Sequence, residues 1–400
     1  MRASSREPNR TRSLVYLGFS LVVTVAIFGY LLTHVSPAEV LDLIRNADLR
    51  GVTMFLVLSL SMSVFRAWRY RVLLATAGYA PPAPALFLVV LVRNCFSDLL
   101  PARIGTLIYV YIVTTRLGVP FGAAASSFAY AFFYDFIALA PMIGAALLFA
   151  GAGAGIPVAG LVIGSVLLCA VSGAILFALP RLIDAANALL GRLPVPGPAR
   201  RAAWRAALSA ARDDVVRTKR AGIALRLLVL SFLVRLGKYA SLYVFLFALV
   251  HPRGYGFAEL PVPKVFIGLC AAELAASLPI SGIAGFGAYE GTWALVFELL
   301  GYPGDFAKLT SIGHHLFTQV YGYSLGGLAL LVLLLPVFRR RAPLPEQVRP
   351  PSAPLLFYGR IAAVLALIAL LLGAAYRAPI GRDAASGLAP TVSVEPARAE

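Results

Sequence analysis

Long apolar stretches with few charges recur along the chain, and short polar segments separate them. A helix needs about 20 apolar residues to cross the hydrocarbon core of a bilayer. The first stretch could instead belong to a signal peptide, but it is longer than a usual signal core and no small-x-small cleavage motif follows it. We predict an all-α, polytopic helical membrane protein with seven full spans, at residues 14–33, 51–71, 121–150, 156–179, 223–250, 312–336 and 355–376.

Two further apolar stretches, 84–115 and 263–300, are interrupted by proline and glycine, at 100–105 and at 279–287. Proline removes a backbone donor, and glycine loosens a helix. At membrane depth such backbone is tolerated only where protein or water satisfies it. We therefore predict that each stretch is a broken, re-entrant helical hairpin.

Basic residues concentrate in three segments. Residues 1–13 hold four Arg against one Glu, loop 181–226 holds ten Lys plus Arg against three Asp, and segment 337–354 holds four Arg against one Glu. The positive-inside rule places all three in the cytoplasm. The number of full spans between these basic segments then requires 84–115 to enter and leave the membrane from the cytoplasmic side and 263–300 from the outer side. Two broken hairpins from opposite sides are typical of inverted-repeat transporters. We predict a multi-pass protein of the cell inner (plasma) membrane with a cytoplasmic N-terminus.

These patterns also predict the organisation of the chain. A surface helix should follow Pro198, because Trp204, Leu208, Ala211 and Val215 form one stripe; it either rests on anionic headgroups or is a solvated connector. The predicted segments are a basic N-terminus (1–13), a transmembrane domain (14–340, with the basic cytoplasmic loop 181–222), an extra span (341–376) and a disordered tail (377–400).

Composition excludes an ordinary soluble protein. Hydrophobic residues make up 60% of the chain and charged residues only 13%, whereas soluble proteins carry about 25% charged residues. The net charge of +17 therefore indicates basic loops beside anionic phospholipid rather than a nucleic-acid partner. The three cysteines are far apart, and we find no Walker, GxSxG, HExxH or CxxC motif. We predict no catalytic residue, metal site or cofactor.

The second break is the strongest candidate site. Glycines such as Gly285 and Gly287 let the backbone approach a ligand closely. A half-helix that begins near Ala288 would direct free N–H groups at a phosphate or carboxylate. Glu290, in its first turn, would cap the helix, take a proton or pair with a cationic headgroup. The alternative is a glycine-rich turn that only allows helices to pack.

Charged residues inside apolar stretches complete the candidate set. Arg103 lies at the first break, where it would hold a lipid phosphate or extend to the headgroups. Asp135 lies inside a span, and its candidate partners are Arg66, Arg69, Arg103 and Arg235. It is either a functional carboxylate, a structural ion pair or a protonated, hydrogen-bonded acid. The predicted lipid-binding residues are Arg66, Arg69, Asn94, Pro101, Arg103, Gly105, Asp135, Glu273, Pro279, Gly285, Gly287 and Glu290.

Several of these residues lie in patches at 65–74, 94–105, 278–291 and 324–327, together with Asp135. In these patches the chain resembles the transmembrane region of lysylphosphatidylglycerol synthases, which are flippase-like integral membrane proteins. The resemblance implies binding of a phospholipid or isoprenoid lipid and its translocation between leaflets. Full synthases also carry a soluble domain that transfers lysine from lysyl-tRNA. After residue 340 this chain has one apolar span and a tail, so we expect no aminoacyl transfer from it.

The chain also departs from the family pattern. The family has Glu directly after the first break glycine and Arg three residues later, where this chain has Thr106 and Tyr109. The Glu-Arg pair of the family ahead of the aspartate is replaced by Ala131 and Phe132. The resemblance therefore does not carry over the same headgroup chemistry or proton coupling.

Three functions fit these observations. The favoured one is a lipid flippase-like protein whose substrate is a membrane lipid, bound between the two hairpins. The second is a membrane-embedded transferase, which would need an acid and a base close together, such as Asp135 and Glu290. The third is an accessory subunit beside a partner lipid-pathway enzyme, in a glycolipid or hopanoid pathway.

Overall fold

The computed structural model describes residues 35–100, 105, 107–151, 158–192, 198–278, 285–335 and 354–377, together with Gly29 and Thr33. Within these ranges the regular structure is helical, which confirms the predicted all-α fold. A 3₁₀ turn at His251–Arg253 follows the eighth helix. The helices are α1 (Pro37–Arg45), α2 (Leu49–Thr76), α3 (Ala83–Leu99), α4 (Ile108–Leu117), α5 (Phe121–Gly151), α6 (Val158–Arg192), α7 (Pro198–Arg220), α8 (Ala224–Val250), α9 (Val262–Ala275), α10 (Ala288–Leu299), α11 (Gly304–Leu334) and α12 (Pro354–Arg377).

Six of the described helices, α2, α5, α6, α8, α11 and α12, are long and apolar enough to cross a membrane. They coincide with six of the predicted spans and confirm a multi-pass membrane protein. Of the remaining span, 14–33, the structure describes Gly29 and Thr33 alone, and the N-terminal segment 1–13 and the tail from 378 lie outside the described residues. Helix α11 begins at Gly304 rather than at 312 because its first turns carry Asp305 and Lys308, which a purely apolar criterion excludes.

Helices α2 and α8 form an antiparallel pair at the centre of the fold. A Cβ added to Gly51 would lie 2.6 Å from the Cβ of Ala248, and one added to Gly237 would lie 3.2 Å from that of Met62. Small residues at such positions let two membrane helices approach closely. The backbone N–H of Asp48 donates to the carbonyl of Ala248 at 2.8 Å and joins the two ends.

Helix α7 marks one face of the bundle, which we call the α7 face. The hydroxyls of Thr76 and Thr218 lie 2.8 Å apart, so α2 ends beside α7. Gly122, at the start of α5, packs against the backbone of α7 at Ala211. Helices α3 and α4 lie between these two points in the chain, so they leave the α7 face and return to it. This is the first predicted hairpin, broken between Leu99 and Ile108.

The second hairpin comes from the opposite face, which we call the far face. There α8 ends beside the start of α2, and the ring of Tyr255 lies 4.6 Å from that of Phe306 at the start of α11. Helices α9 and α10 fall between these points. Gly268 of α9 contacts the ring of Phe297 near the end of α10. Gly285, just before α10, lies against Ala276, just after α9, so the two helices run antiparallel. The two broken hairpins therefore open to opposite faces, and the assignment of the α7 face to the cytoplasm stays a prediction.

The predicted surface helix is present as α7, but it packs on protein along half of its length. Ala211 and Val215 are buried, and the hydroxyl of Tyr130 donates to the carbonyl of Val215 at 2.9 Å. Trp204 is 51% exposed. Only the first half of the predicted stripe is thus free to meet headgroups, and that contact stays a prediction.

Candidate functional site

Three arginines and one aspartate meet between the spanning helices, and we call Arg66, Arg69, Arg235 and Asp135 the arginine cluster. The Nη1 atom of Arg69 lies 2.6 Å from Oδ1 of Asp135, and Nη2 of Arg235 lies 3.2 Å from Oδ2. Arg69 also donates to the hydroxyl of Ser231 at 2.7 Å. The side chains of Arg69 and Asp135 are only 1% and 8% exposed. Of the four predicted partners of Asp135, Arg69 and Arg235 contact it directly, and Arg103 lies outside the described residues.

Arg66 connects this cluster to the first hairpin. Its Nη1 donates to Oδ1 of Asn94 at 2.5 Å, and its Nη2 approaches the sulfur of Met62 at 3.5 Å. Arg93 donates to the same amide oxygen of Asn94 at 3.2 Å. Asn94 lies near the end of α3, shortly before the chain breaks. Within the described part of the chain, Arg66 therefore contacts no carboxylate, although it is buried.

Helix α8 presents its polar residues on one face. Ser231, Arg235 and Lys238 follow one another at spacings of four and three, so they lie along one side of the helix. Ser231 accepts from Arg69, and Arg235 contacts Asp135. Lys238 pairs with Glu273 near the end of α9. Both side chains of this last pair are 16% exposed. A polar line thus runs along α8 from the arginine cluster to the second hairpin.

Glu290 lies at the start of α10, directly after the second break. Its side chain is fully buried, and its Oε2 accepts from the backbone N–H of Gly287 at 2.8 Å, which caps the helix. Gly287 has φ +91°, a conformation that favours glycine. The other carboxylate oxygen lies 2.5 Å from Nδ1 of His315, whose Nε2 contacts the Gln319 amide at 2.6 Å. Of the three predicted roles, capping is observed, and proton binding and headgroup pairing stay predictions.

The structure assembles the predicted residues into three groups: Arg66, Arg69, Asn94 and Asp135; Glu273 with Lys238; and Gly285, Gly287 and Glu290. Gly105 packs against the backbone carbonyl of Phe96, two residues after Asn94 in α3, where a side chain would collide. Pro101, Arg103 and Pro279 lie outside the described residues. Five contributors lie outside the predicted set of lipid-binding residues: Ser231, Arg235, Lys238, His315 and Gln319.

Two of the positions where the chain departs from the family pattern, Tyr109 and Ala131, are buried in the packing. Tyr109 is fully buried, its ring stacks on that of Tyr70 at 3.9 Å, and its hydroxyl lies 2.9 Å from that of Ser127. Ala131 is 2% exposed. Aromatic stacking and a small residue thus occupy places where the family has charged side chains.

Two other features of the described residues bear on chemistry. They contain no group of three or more His, Cys, Asp and Glu side chains that could hold a metal ion. A cavity of about 270 Å³ opens at the far face, and its lining includes Leu43, Arg253, Asp305 and Phe306. No residue of the arginine cluster lines this cavity.

Comparisons with known proteins agree with this architecture. The family model for the lysylphosphatidylglycerol synthase TM region matches residues 17–327. The chain is also similar to the glycosyltransferase AglD of Haloferax volcanii, with 26% identity over 140 residues, which is 35% of this chain. The match spans 22% of the length of AglD. No solved structure matches the chain.

Proposed function

Because the chain belongs to the lysylphosphatidylglycerol synthase TM region family, we propose that it is a lipid flippase-like protein. It binds the headgroup of a phospholipid or isoprenoid lipid and moves it between leaflets. The observation that carries this proposal is the line of buried charged residues between two helix breaks that open to opposite faces.

Free energy explains why such a line is significant. Charged side chains inside a membrane are costly, and they mark substrate or ion pathways. A buried ion pair contributes less to stability than a well-packed apolar replacement often would. A headgroup that crosses the hydrocarbon core needs polar partners along its route, and the arginine cluster, Lys238 and Glu273 provide them. One hairpin opens the route at each face, as in transporters with broken helices.

Each group then has a role in the proposed cycle. The arginines bind the phosphate of the headgroup, and Asp135 holds two of them in position. Glu290 and His315 exchange a proton or compensate charge at the far-face hairpin. Arg103, Pro101 and Pro279 contribute at the breaks, as their sequence positions predict. The basic α7 lies against the anionic phospholipid surface.

Reconstitution into vesicles tests the proposal. Fluorescent phospholipids are placed in both leaflets, and a membrane-impermeant quencher reports how fast the inner pool becomes accessible. We expect the wild-type chain to raise this rate above that of empty vesicles, and Arg69→Gln and Glu290→Gln to lower it. Arg212→Gln, which changes an exposed arginine paired with Asp184, is the matched control and keeps the wild-type rate. The proposal would be overturned if vesicles with the wild-type chain showed the same rate as empty vesicles, both with phospholipid probes and with isoprenoid phosphate probes.

The similarity to AglD, which is named a glycosyltransferase, favours a second candidate, an accessory subunit beside a lipid-pathway enzyme. A partner that co-purifies in fixed ratio, without intrinsic transport, would support it. The contacts give no support to a transferase centre on Asp135 and Glu290. Asp135 contacts two arginines, and Glu290 contacts His315 and the backbone of Gly287.

A further inference from the structure

The arginine cluster carries more positive than negative charge. Arg66, Arg69 and Arg235 contribute three positive charges and Asp135 one negative charge, so 3 − 1 leaves a net charge of +2. Arg66, Arg69 and Asp135 are 7%, 1% and 6% exposed. Arg93, on the first hairpin, adds a further positive charge beside Asn94, and Glu273 is neutralised by Lys238. An unbalanced charge at this depth is costly unless a ligand compensates it.

The hydrogen bonds of the cluster are also incomplete. The Nε–H groups of Arg66, Arg69 and Arg235 are buried and have no hydrogen-bond partner within the described residues. A buried donor without an acceptor destabilises the fold. A guanidinium has five N–H donors in a fixed fork that matches a phosphate or carboxylate. The unmet donors and the excess charge point to the same kind of ligand, an anion with several acceptor oxygens.

We propose that the arginine cluster selects an anionic lipid headgroup, a phosphate whose negative charge no amine of the same headgroup cancels. This rests on the proposed function and specifies its substrate class. A zwitterionic headgroup would place its amine among three guanidiniums. A lysine-bearing headgroup would add a further positive charge, which like-charge repulsion disfavours.

Asn94 offers a test of this selectivity that leaves the shape of the site intact. Its Oδ1 already accepts hydrogen bonds from Arg66 and Arg93. In Asn94→Asp the carboxylate keeps both contacts and lowers the net charge around these arginines by one. The fold gains a favourable charge interaction, and an anionic ligand loses one. Stability and ligand affinity are therefore expected to change in opposite directions.

The experiment measures the thermal stabilisation of the purified full chain in neutral detergent. Short-chain phosphatidylglycerol, short-chain phosphatidylcholine and inorganic phosphate are titrated separately. We expect phosphatidylglycerol to bind at least about tenfold more tightly than phosphatidylcholine. Asn94→Asp should weaken phosphatidylglycerol binding about tenfold, with an unliganded midpoint equal to or above that of the wild type.

Asn187→Asp is the matched control. The Oδ1 of Asn187 accepts from Nε of Arg205 at 3.2 Å on the exposed side of α6 and α7, so the same substitution adds the same charge beside an arginine far from the proposed site. It should keep wild-type affinity, and an equal loss of affinity would indicate surface charge and overturn the proposal. Should Asn94→Asp fail to fold, Arg66→Gln provides the same reduction in charge.

Three further results would overturn the inference: equal affinity for phosphatidylglycerol and phosphatidylcholine, unchanged phosphatidylglycerol affinity in Asn94→Asp, and inorganic phosphate stabilising the chain while phosphatidylglycerol does not. The vesicle assay distinguishes a failure of the proposed headgroup selectivity from a failure of the proposed lipid transport. Selective binding without movement between leaflets refutes transport alone. Equal transport of anionic and zwitterionic lipids refutes the selectivity alone.

Discussion

Removing the charge of Asp135 should destabilise the whole bundle. In Asp135→Asn the side chain keeps its size, but Arg69 and Arg235 lose the carboxylate that lies 2.6 and 3.2 Å from them. At an effective dielectric constant of about 20, these contacts correspond to attractions of about 6 and about 5 kcal/mol. Desolvation offsets much of this attraction, but two buried guanidiniums remain charged without a partner. Breaking a buried pair in this way costs about 3–5 kcal/mol.

Unfolding in mixed detergent micelles measures this loss, and a surface pair provides the matched control. Arg212 lies 3.2 Å from Asp184, the same distance as Arg235 from Asp135, but these side chains are 41% and 55% exposed. We expect Asp184→Asn to cost less than about 1 kcal/mol, because water screens exposed pairs. Adding Arg235→Gln to Asp135→Asn should recover part of the loss. A cost for Asp135→Asn within about 1 kcal/mol of the control would refute the reasoning about burial.

Three other substitutions test separate parts of the account. Glu290→Gln should cost about 1–2 kcal/mol in the same unfolding measurement, since the α10 cap and the hydrogen bond to His315 are weakened. Gly51→Leu should cost about 1–3 kcal/mol because the side chain would collide with Ala248, whereas Gly160→Leu, with open space around it, should change stability by less than about 0.5 kcal/mol. Burial raises the pKa of the Asp214 carboxyl above its ordinary value of 3.8, so ionisation of this group at pH 7 opposes folding. Asp214→Asn should therefore raise the unfolding midpoint at pH 7. This gain should vanish as the pH falls through the raised pKa to below 3.8, where the carboxyl is protonated in both the folded and the unfolded chain.

The spans and the two breaks could be predicted from the sequence because they depend on local properties. Apolar length decides whether a helix crosses a membrane, and proline and glycine interrupt helices wherever they occur. The opposite openings of the hairpins also followed, since the number of crossings between basic segments restricts them. The span pattern did not predict how far α6 extends: the helix continues beyond 179 to Arg192, because a continuous helix can leave the apolar layer without breaking its backbone hydrogen bonds.

The contacts within the site could be predicted only in part. Asp135 had four candidate arginine partners, and helix packing rather than the pattern along the chain decides which of them it contacts. His315 and Glu290 are 25 positions apart on different helices, so no local motif joins them. The spacing of Ser231, Arg235 and Lys238 on one face of α8 was a readable signal of the polar line. Recognising this signal requires the positions of the few polar residues inside an apolar span to be compared with the helical period.

Photochemical cross-linking tests whether a lipid headgroup reaches the buried arginines. The full chain in bilayer nanodiscs is exposed to a phospholipid with a photoreactive group beside its phosphate, and the labelled peptides are identified by mass spectrometry. The account predicts labelling of peptides from α2, α3 and α8 around Arg66, Asn94 and Arg235, and competition by unlabelled anionic lipid. The opposite result is labelling that is confined to the outward surfaces of α6 and α12 and that changes neither in Arg66→Gln nor when unlabelled anionic lipid is added. That result would show that the headgroup does not reach the arginine cluster.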